Sequence, residues 1–265
     1  MPAQQNEHPA LREQLRTRRL GTPHRYLESV TSTNDVARNW AHEGAAEGAV
    51  VWAEHQSAGR GRQGSAWRSA RGKNLTFSVV LRPQSACPLG LIPLITGVAL
   101  SGVLESRYAL QASLKWPNDV LIGGAKICGI LCEGVWKSTE PEFVIVGIGC
   151  NVNQVVFEGE HQREPTSLRL ELGRLVDRTS LLADVLHHLE ETYLTAQKTP
   201  QQIRELYNEK MIFRGEQVEL QETPNAPLTG KCLGIAPDGG LLIESNGSTM
   251  TVYAGEVSNV RSSNR

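Results

Sequence analysis

Apolar and polar positions set two textures along this chain of 265 residues. Up to about Lys210, buried-looking runs alternate with amphipathic stretches; beyond Arg214 only short runs separated by turns remain. Ala49-Val50-Val51-Trp52-Ala53, Asn74–Arg82 (NLTFSVVLR) and Glu142–Asn153 (EFVIVGIGCNVN) are near-continuous apolar runs. That is the pattern of strands covered on both faces. His24–Val30 predicts a further strand. Pro88–Tyr108 predicts a long, almost fully buried helix, and Thr179–Lys198 and Gln201–Lys210 predict two amphipathic ones, the first begun by Thr179 or Ser180. Ser32 with Asp35 three residues on approximates a capping box, opening a helix through Val36, Ala37 and Trp40 to Gly44. Residues 1–9 read as a disordered tail, and Ala10–Leu20 as a short basic helix ended by Gly21.

Gly123-Gly124 between two β-rich runs predicts a two-residue hairpin turn. Ile122 then pairs with Ala125 and Leu121 with Lys126, and alternation sends Asp119, Leu121, Lys126 and Cys128 to one face. From Arg214 onward, Gln217–Gln221, Leu228–Ile235, Leu241–Ser245, Thr249–Tyr253 and Glu256–Val260 predict a small all-β barrel, SH3-like in strand count and spacing. The chain therefore divides into a tail and helix (1–22), a mixed α/β unit (23–212) and a β unit (213–265).

Composition narrows the classes. Hydrophobic residues at 40% and charged ones at 21% suit an ordinary globular chain. Lys+Arg 27 against Asp+Glu 28 provides no general field for a nucleic acid, so polyanion binding would need a local patch. The first twenty residues lack the apolar core of a signal peptide. Leu89–Leu104, the most apolar run, is too short to cross a bilayer and is interrupted by Pro93 and three glycines. Five cysteines without a C-x-x-C pair fit reduced, buried thiols in a cytoplasmic protein rather than a disulfide frame or zinc site. The histidines have no metal-ligand spacing.

Candidate chemistry concentrates in Gln56-Ser57-Ala58-Gly59-Arg60-Gly61-Arg62-Gln63-Gly64-Ser65-Ala66-Trp67, directly after a buried strand. Its glycines let backbone approach a ligand and take positive φ, and its arginines offer forked donors for phosphate or carboxylate. No Gly-Lys-Ser/Thr follows, so it is not the phosphate loop of nucleoside triphosphatases. A basic flexible linker, or an Arg-Gly segment for RNA, is the competing explanation. For Asp119 the competing explanation is a turn cap after Pro117-Asn118, and for Lys126 an edge-strand charge.

Five motifs in order decide between them: Ser32-Thr33-Asn34, Gln56-x-x-Gly-Arg-Gly-Arg-x-Gly-x-x-Trp67, Lys115-Trp-Pro-Asn-Asp119, Lys126-x-x-Gly-Ile-Leu and Gly147-x-Gly-x-Asn151-x-Asn153. Together they resemble the biotin–protein ligases over about residues 25–260. The resemblance implies a class II aminoacyl-tRNA-synthetase-like α/β catalytic domain (mixed sheet) followed by an SH3-like barrel. It implies activation of biotin by ATP with Mg²⁺ held through the phosphates, then transfer to one lysine of a biotin carboxyl carrier protein. By resemblance Ser32, Thr33, Asn34, Gln56, Arg60, Gly61, Arg62 and Lys126 bind biotin. Arg60, Arg62, Trp67, Lys115, Asn118, Lys126 and Asn151 bind ATP, and Lys126, Asp119 and Arg62 serve catalysis. The loop would be mobile without ligand and ordered with it. A homodimer is compatible with the resemblance, whereas DNA and membrane binding are not expected. A lipoate or octanoate ligase is the nearest rival; an RNA-binding module is the rival from another class.

Overall fold

The computed structural model describes residues 7–83, 87–159, 161, 163–221 and 227–259. In chain order the elements are α1 (Pro9–Gln14), β1 (His24–Leu27), α2 (Thr33–His42), β2 (Val50–Ala53), β3 (Leu75–Leu81) and α3 (Ile92–Tyr108). Then follow β4 (Ala112–Lys115), β5 (Asp119–Ile122), β6 (Ala125–Lys137), β7 (Glu140–Cys150), α4 (Leu168–Leu172), α5 (Arg178–Lys198) and α6 (Pro200–Lys210). The chain closes with β8 (Gln217–Gln221), β9 (Pro227–Ile235), β10 (Leu241–Ser245), β11 (Ser248–Val252) and β12 (Glu256–Asn259).

A seven-stranded sheet in the order β1-β2-β3-β7-β6-β5-β4 is the platform, with β1 and β2 parallel and the remaining pairs antiparallel. Its central strands are buried on both faces, as their continuous apolar runs predict. Val50, Trp52, Phe77, Val79, Val144, Val146 and Ile148 pack with α3 and α5 on one face. Val51, Val80, Phe143 and Ile145 pack with Ala37, Trp40 and Ala41 of α2 on the other. A helical stretch, Leu89–Tyr108, is long and apolar enough to cross a bilayer, contrary to the sequence reading, yet most of it is buried within the protein. Pro93 does not break it because it stands in the first turn of α3, where a missing N–H costs little.

The second sheet runs β11-β10-β9-β8-β12. It is SH3-like in strand number, but among the described residues β11 and β12 remain its edges and the predicted barrel does not close. It docks on the first sheet through Trp116 Nε1, which donates to the Gly239 carbonyl at 3.1 Å, and through a Lys115–Glu256 ion pair.

Four local expectations are corrected. The basic N-terminal helix spans only Pro9–Gln14, because the Arg18, Arg19 and Leu20 amides leave helical geometry to bind the Glu190 carboxylate at 2.7, 2.7 and 3.0 Å. Of the predicted tail, residues 1–6 lie outside the described residues, while His8 caps α1 and packs its ring on Tyr26 and Trp52. Asp177, rather than Thr179 or Ser180, caps α5. Ser32 occupies the N-cap of α2 but makes no side-chain capping bond.

Candidate active site

Along its α2-facing side, β7 carries Phe143 and Ile145 and then Gly147 and Gly149. There the side-chain layer stops and a cleft opens. Something else lies flat on each glycine: an added Cβ at Gly147 would collide with Asn34 Oδ1, and one at Gly149 with the Trp67 indole. The cleft thus has two ends, one at the start of α2 and one under Trp67.

At the first end Ser32, Thr33 and Asn34 are all buried and line the cleft beside Gln56. Gln56 Oε1 accepts from Thr33 N at 2.7 Å and from Thr33 Oγ1 at 3.1 Å. That pairing fixes which way the carboxamide points. Ser78 Oγ donates to Asn34 Oδ1 at 2.6 Å and lies 2.8 Å from Thr33 Oγ1, while Asn34 Nδ2 donates to Glu133 Oε2 at 2.7 Å. Gln56 takes the first amide of α2, and the positive dipole end of that helix suits a polar, electron-rich ligand group.

The loop from Gly59 to Trp67 folds on itself. Trp67 N donates to the Gly59 carbonyl at 2.9 Å and Gly61 N to the Ser65 carbonyl at 2.7 Å. Gly59 and Gly61 do not use positive φ; they are small because a Cβ would strike Trp67 O or Ser65 Oγ. Arg60 anchors this hairpin: its guanidinium grips Asp35 in a bidentate pair at 2.7 and 2.6 Å, with Glu133 at 3.5 Å. The hydrogen bond from Arg60 holds the Asp35 carboxyl below its ordinary value, against the opposing effect of burial. The guanidinium expected to contact biotin and phosphate lines the cleft while paired with Asp35.

At the second end, Lys126 Nζ lies 2.7 Å from Asp119 Oδ1 and 5.9 Å from the Trp67 ring centre. The ammonium approaches Oδ1 outside hydrogen-bonding geometry, so this is an ion pair without an aligned hydrogen bond. The predicted turn pairs Ile122 with Ala125 and Leu121 with Lys126. A bulge then shifts the register, so Cys128 opposes Val120 and both join the buried core, not the cleft face expected for Cys128. Arg62 Nη1 donates to Asn118 Oδ1 across 3.4 Å. Burial pulls its pKa down, countered by the Glu256 and Asp119 charges. A guanidinium stays protonated regardless, so this direction records a desolvation cost that a bound anion offsets. Trp67 Nε1 is buried without a partner among the described residues.

The cleft around these groups encloses about 100 Å³. That is below the roughly 300–1,000 Å³ usual for ligand pockets, so the loop as it lies leaves little room for a ligand. Past Trp67 it continues into a recess of about 530 Å³ reached by Lys115, Asn151, Arg68 and Arg163. All the predicted site residues therefore line one or other of two adjoining spaces, which share Trp67, Asp119 and Lys126. Lys115, however, is paired with Glu256, and Asn151 turns Oδ1 toward Asn74 Nδ2 at 3.4 Å.

Comparison with known proteins gives the family. Residues 26–151 match the biotin/lipoate A/B protein ligase family, and residues 213–259 match the biotin protein ligase C terminal domain. The biotin–[acetyl-CoA-carboxylase] ligase of Mycobacterium tuberculosis is 31% identical over 264 residues, covering 95% of each chain. The chain belongs to the biotin protein ligases. The bifunctional ligase/repressor BirA of Bacillus subtilis is 34% identical over 92% of this chain and 76% of its own length. Biotin protein ligase from Aquifex aeolicus, solved in complex with biotin and ATP, superposes with a TM-score of 0.77 at 33% identity, covering 89% and 97% of the two chains.

Several contributors to this ligase's cleft escaped sequence reasoning. Ser78 had a signal, as one of two hydroxyl residues inside the apolar run of β3. Glu133, two residues beyond Leu131 on β6, supports the cleft by holding Asn34 and Arg60, and Glu256 arrives from the second sheet. Neither could be found without the tertiary fold. Among the described residues no group of three metal-ligating side chains occurs.

Proposed function

We propose that this ligase joins biotin to a lysine of a biotin carboxyl carrier protein in two steps within the one cleft. Biotin's carboxylate oxygen attacks the α-phosphorus of ATP, the bond to the β-phosphate oxygen breaks, and pyrophosphate leaves. The carrier's lysine nitrogen then attacks the acyl carbon of biotinyl-5′-adenylate, the acyl–oxygen bond breaks, and AMP and a proton depart. The observation that carries the reading is the pairing of a fixed polar end, at Thr33, Asn34 and Gln56, with a cationic end in the same cleft, at Arg62 and Lys126.

At the first end, Gln56 and Thr33 present oriented amide and hydroxyl groups to the ureido ring. At the second, Lys126 and Arg62 draw two mutually repelling anions together and stabilise charge on the transferring phosphoryl group. Trp67, lying across Gly149, covers the mixed anhydride against water, while Asn118, Asn151 and Lys115 line the nucleotide side. Asp119 draws in the incoming lysine, whose pKa in water is about 10.4, and orients it. Mg²⁺ held through the phosphates would neutralise part of their charge. The carboxylates facing the cleft, Asp119 and Glu256, are each paired with a lysine, which fits an ion bound mainly through phosphate and water. We read residues 23–212 as the catalytic unit and 213–265 as a second unit that completes the cleft through Glu256.

The test is ATP–pyrophosphate exchange with biotin beside lipoate. Exchange dependent on biotin is expected; exchange with lipoate alone refutes the assignment.

A further inference from the structure

Arg178, the first residue of α5, touches neither space of the cleft yet joins the segments that shape its nucleotide side. Its Nη1 donates to the Asn74 carbonyl at 3.1 Å, and its Nη2 lies 2.9 Å from Glu54 Oε2 and 3.1 Å from Oε1. Glu54 directly follows β2 and Asn74 directly precedes β3, so one guanidinium fastens both stems of the loop that carries Arg60, Arg62 and Trp67. The pair is well shielded, with side chains 19% and 12% exposed, and Tyr26 OH donates to Glu54 Oε1 at 2.8 Å.

Asn74 carries the connection onward. Its Oδ1 accepts from Val152 N at 3.0 Å, and its Nδ2 donates to Gln154 Oε1 at 2.7 Å and reaches Asn151 Oδ1 at 3.4 Å. Gln154 Oε1 also accepts from Ala70 N at 3.0 Å, which stitches the returning stem to the end of β7. The ring closes at Asn153, whose side chain exchanges two 2.9 Å bonds with the backbone of Val176, just before α5. Four segments distant in sequence are thus joined at one part-buried ion pair.

We infer that Arg178 and Glu54 are positioning residues for ATP: they hold the loop stems and, through Asn74, the Asn151–Gln154 segment, without touching ligand. This rests on the biotin ligase reading above. A lysine could retain the charge but not bridge two acceptors on different segments with a planar fork. The ring end has contacts of its own, from Thr33 to Gln56 and from Ser78 to Thr33, that do not pass through Arg178.

The experiment is steady-state kinetics of biotin-dependent pyrophosphate exchange. Wild-type exchange is measured first; its absence would refute the ligase reading itself. Arg178→Gln, Arg178→Lys and the milder Glu54→Gln are then compared where circular dichroism shows each to be folded. KM for ATP is expected to rise roughly ten-fold in Arg178→Gln, with KM for biotin within about two-fold of wild type. Glu54→Gln should move the same parameter less, and Arg178→Lys should rescue stability but not KM. An unchanged KM for ATP with only a lower melting temperature, an equal rise in both KM values, or full kinetic rescue by lysine overturns the inference.

Discussion

The two ends of the cleft are built differently. At the ring end, Thr33, Asn34, Gln56 and Ser78 hold one another through contacts of 2.6 to 3.1 Å, and Glu133 fixes the outer amide. At the phosphate end Arg62 reaches Asn118 only across 3.4 Å, Lys126 meets Asp119 without an aligned bond, and the Trp67 indole nitrogen has no partner among the described residues. One end is organised before any ligand arrives; the other holds charge whose desolvation a ligand offsets. A neutral ring must be recognised by shape and direction, which favours rigidity. Two anions must be brought together, and groups whose interactions strengthen as charge develops contribute to rate rather than to ground-state affinity.

The largest expected effect would break the phosphate end. Lys126→Ala should lower biotin-dependent pyrophosphate exchange by about a thousand-fold or more, in line with removal of a main electrostatic stabiliser. Asp119→Ala should reduce transfer to the carrier at least as much as adenylation, read by single-turnover transfer from preformed adenylate. Intact transfer would remove Asp119 from the second step.

A pair of glycine substitutions sharpens the comparison. Gly147→Ala drives a methyl into Asn34 Oδ1, and Gly149→Ala drives one into the Trp67 indole. The first should raise KM for biotin and the second KM for ATP, each by roughly ten-fold or more. Crossed or equal effects would show that the ends are not separate. Tryptophan fluorescence should change in the second variant and much less in the first.

The smallest effect concerns the loop anchor. The hydrogen bond from Arg60 lowers the folded-state pKa of Asp35, so folding favours its ionised form. That contribution is complete above the ordinary carboxylate value and is lost as pH falls through the lower folded-state value. In denaturant titrations Asp35→Asn should flatten the acid limb of stability between about pH 5 and pH 2 and leave its slope near neutrality unchanged. An unaltered acid limb would deny the anchor.

Local chemistry made much of this legible in the sequence. The Gly123-Gly124 turn set the hairpin register, so Leu121 and Lys126 were paired correctly and Asp119 was placed on the cleft side. Cys128 was misplaced because one bulged residue reverses the alternation, and nothing in the run of apolar residues announces it. Ser32 was read as a cap, whereas Asp35, its supposed partner, faces Arg60 from a loop 25 residues away. Contacts of that kind depend on how α2, the loop and β6 converge, which no local pattern encodes. The same holds for Glu256 and for the Glu54–Arg178 pair, whose partners lie 141 and 124 residues off. Most of the missed residues act on other residues of the site, and it is their partners that carry recognisable motifs.

Hydrogen exchange with mass spectrometry, with and without biotin plus a non-hydrolysable ATP analogue, tests the contrast between the ends most directly. Amides of Gly59–Trp67 should exchange fast in the free protein and slow strongly on ligand binding, whereas those of Thr33 and of α2 from Val36 onward should be protected throughout. Equal protection of the loop in both states, or a Thr33 amide that becomes protected only with ligand, would contradict the account.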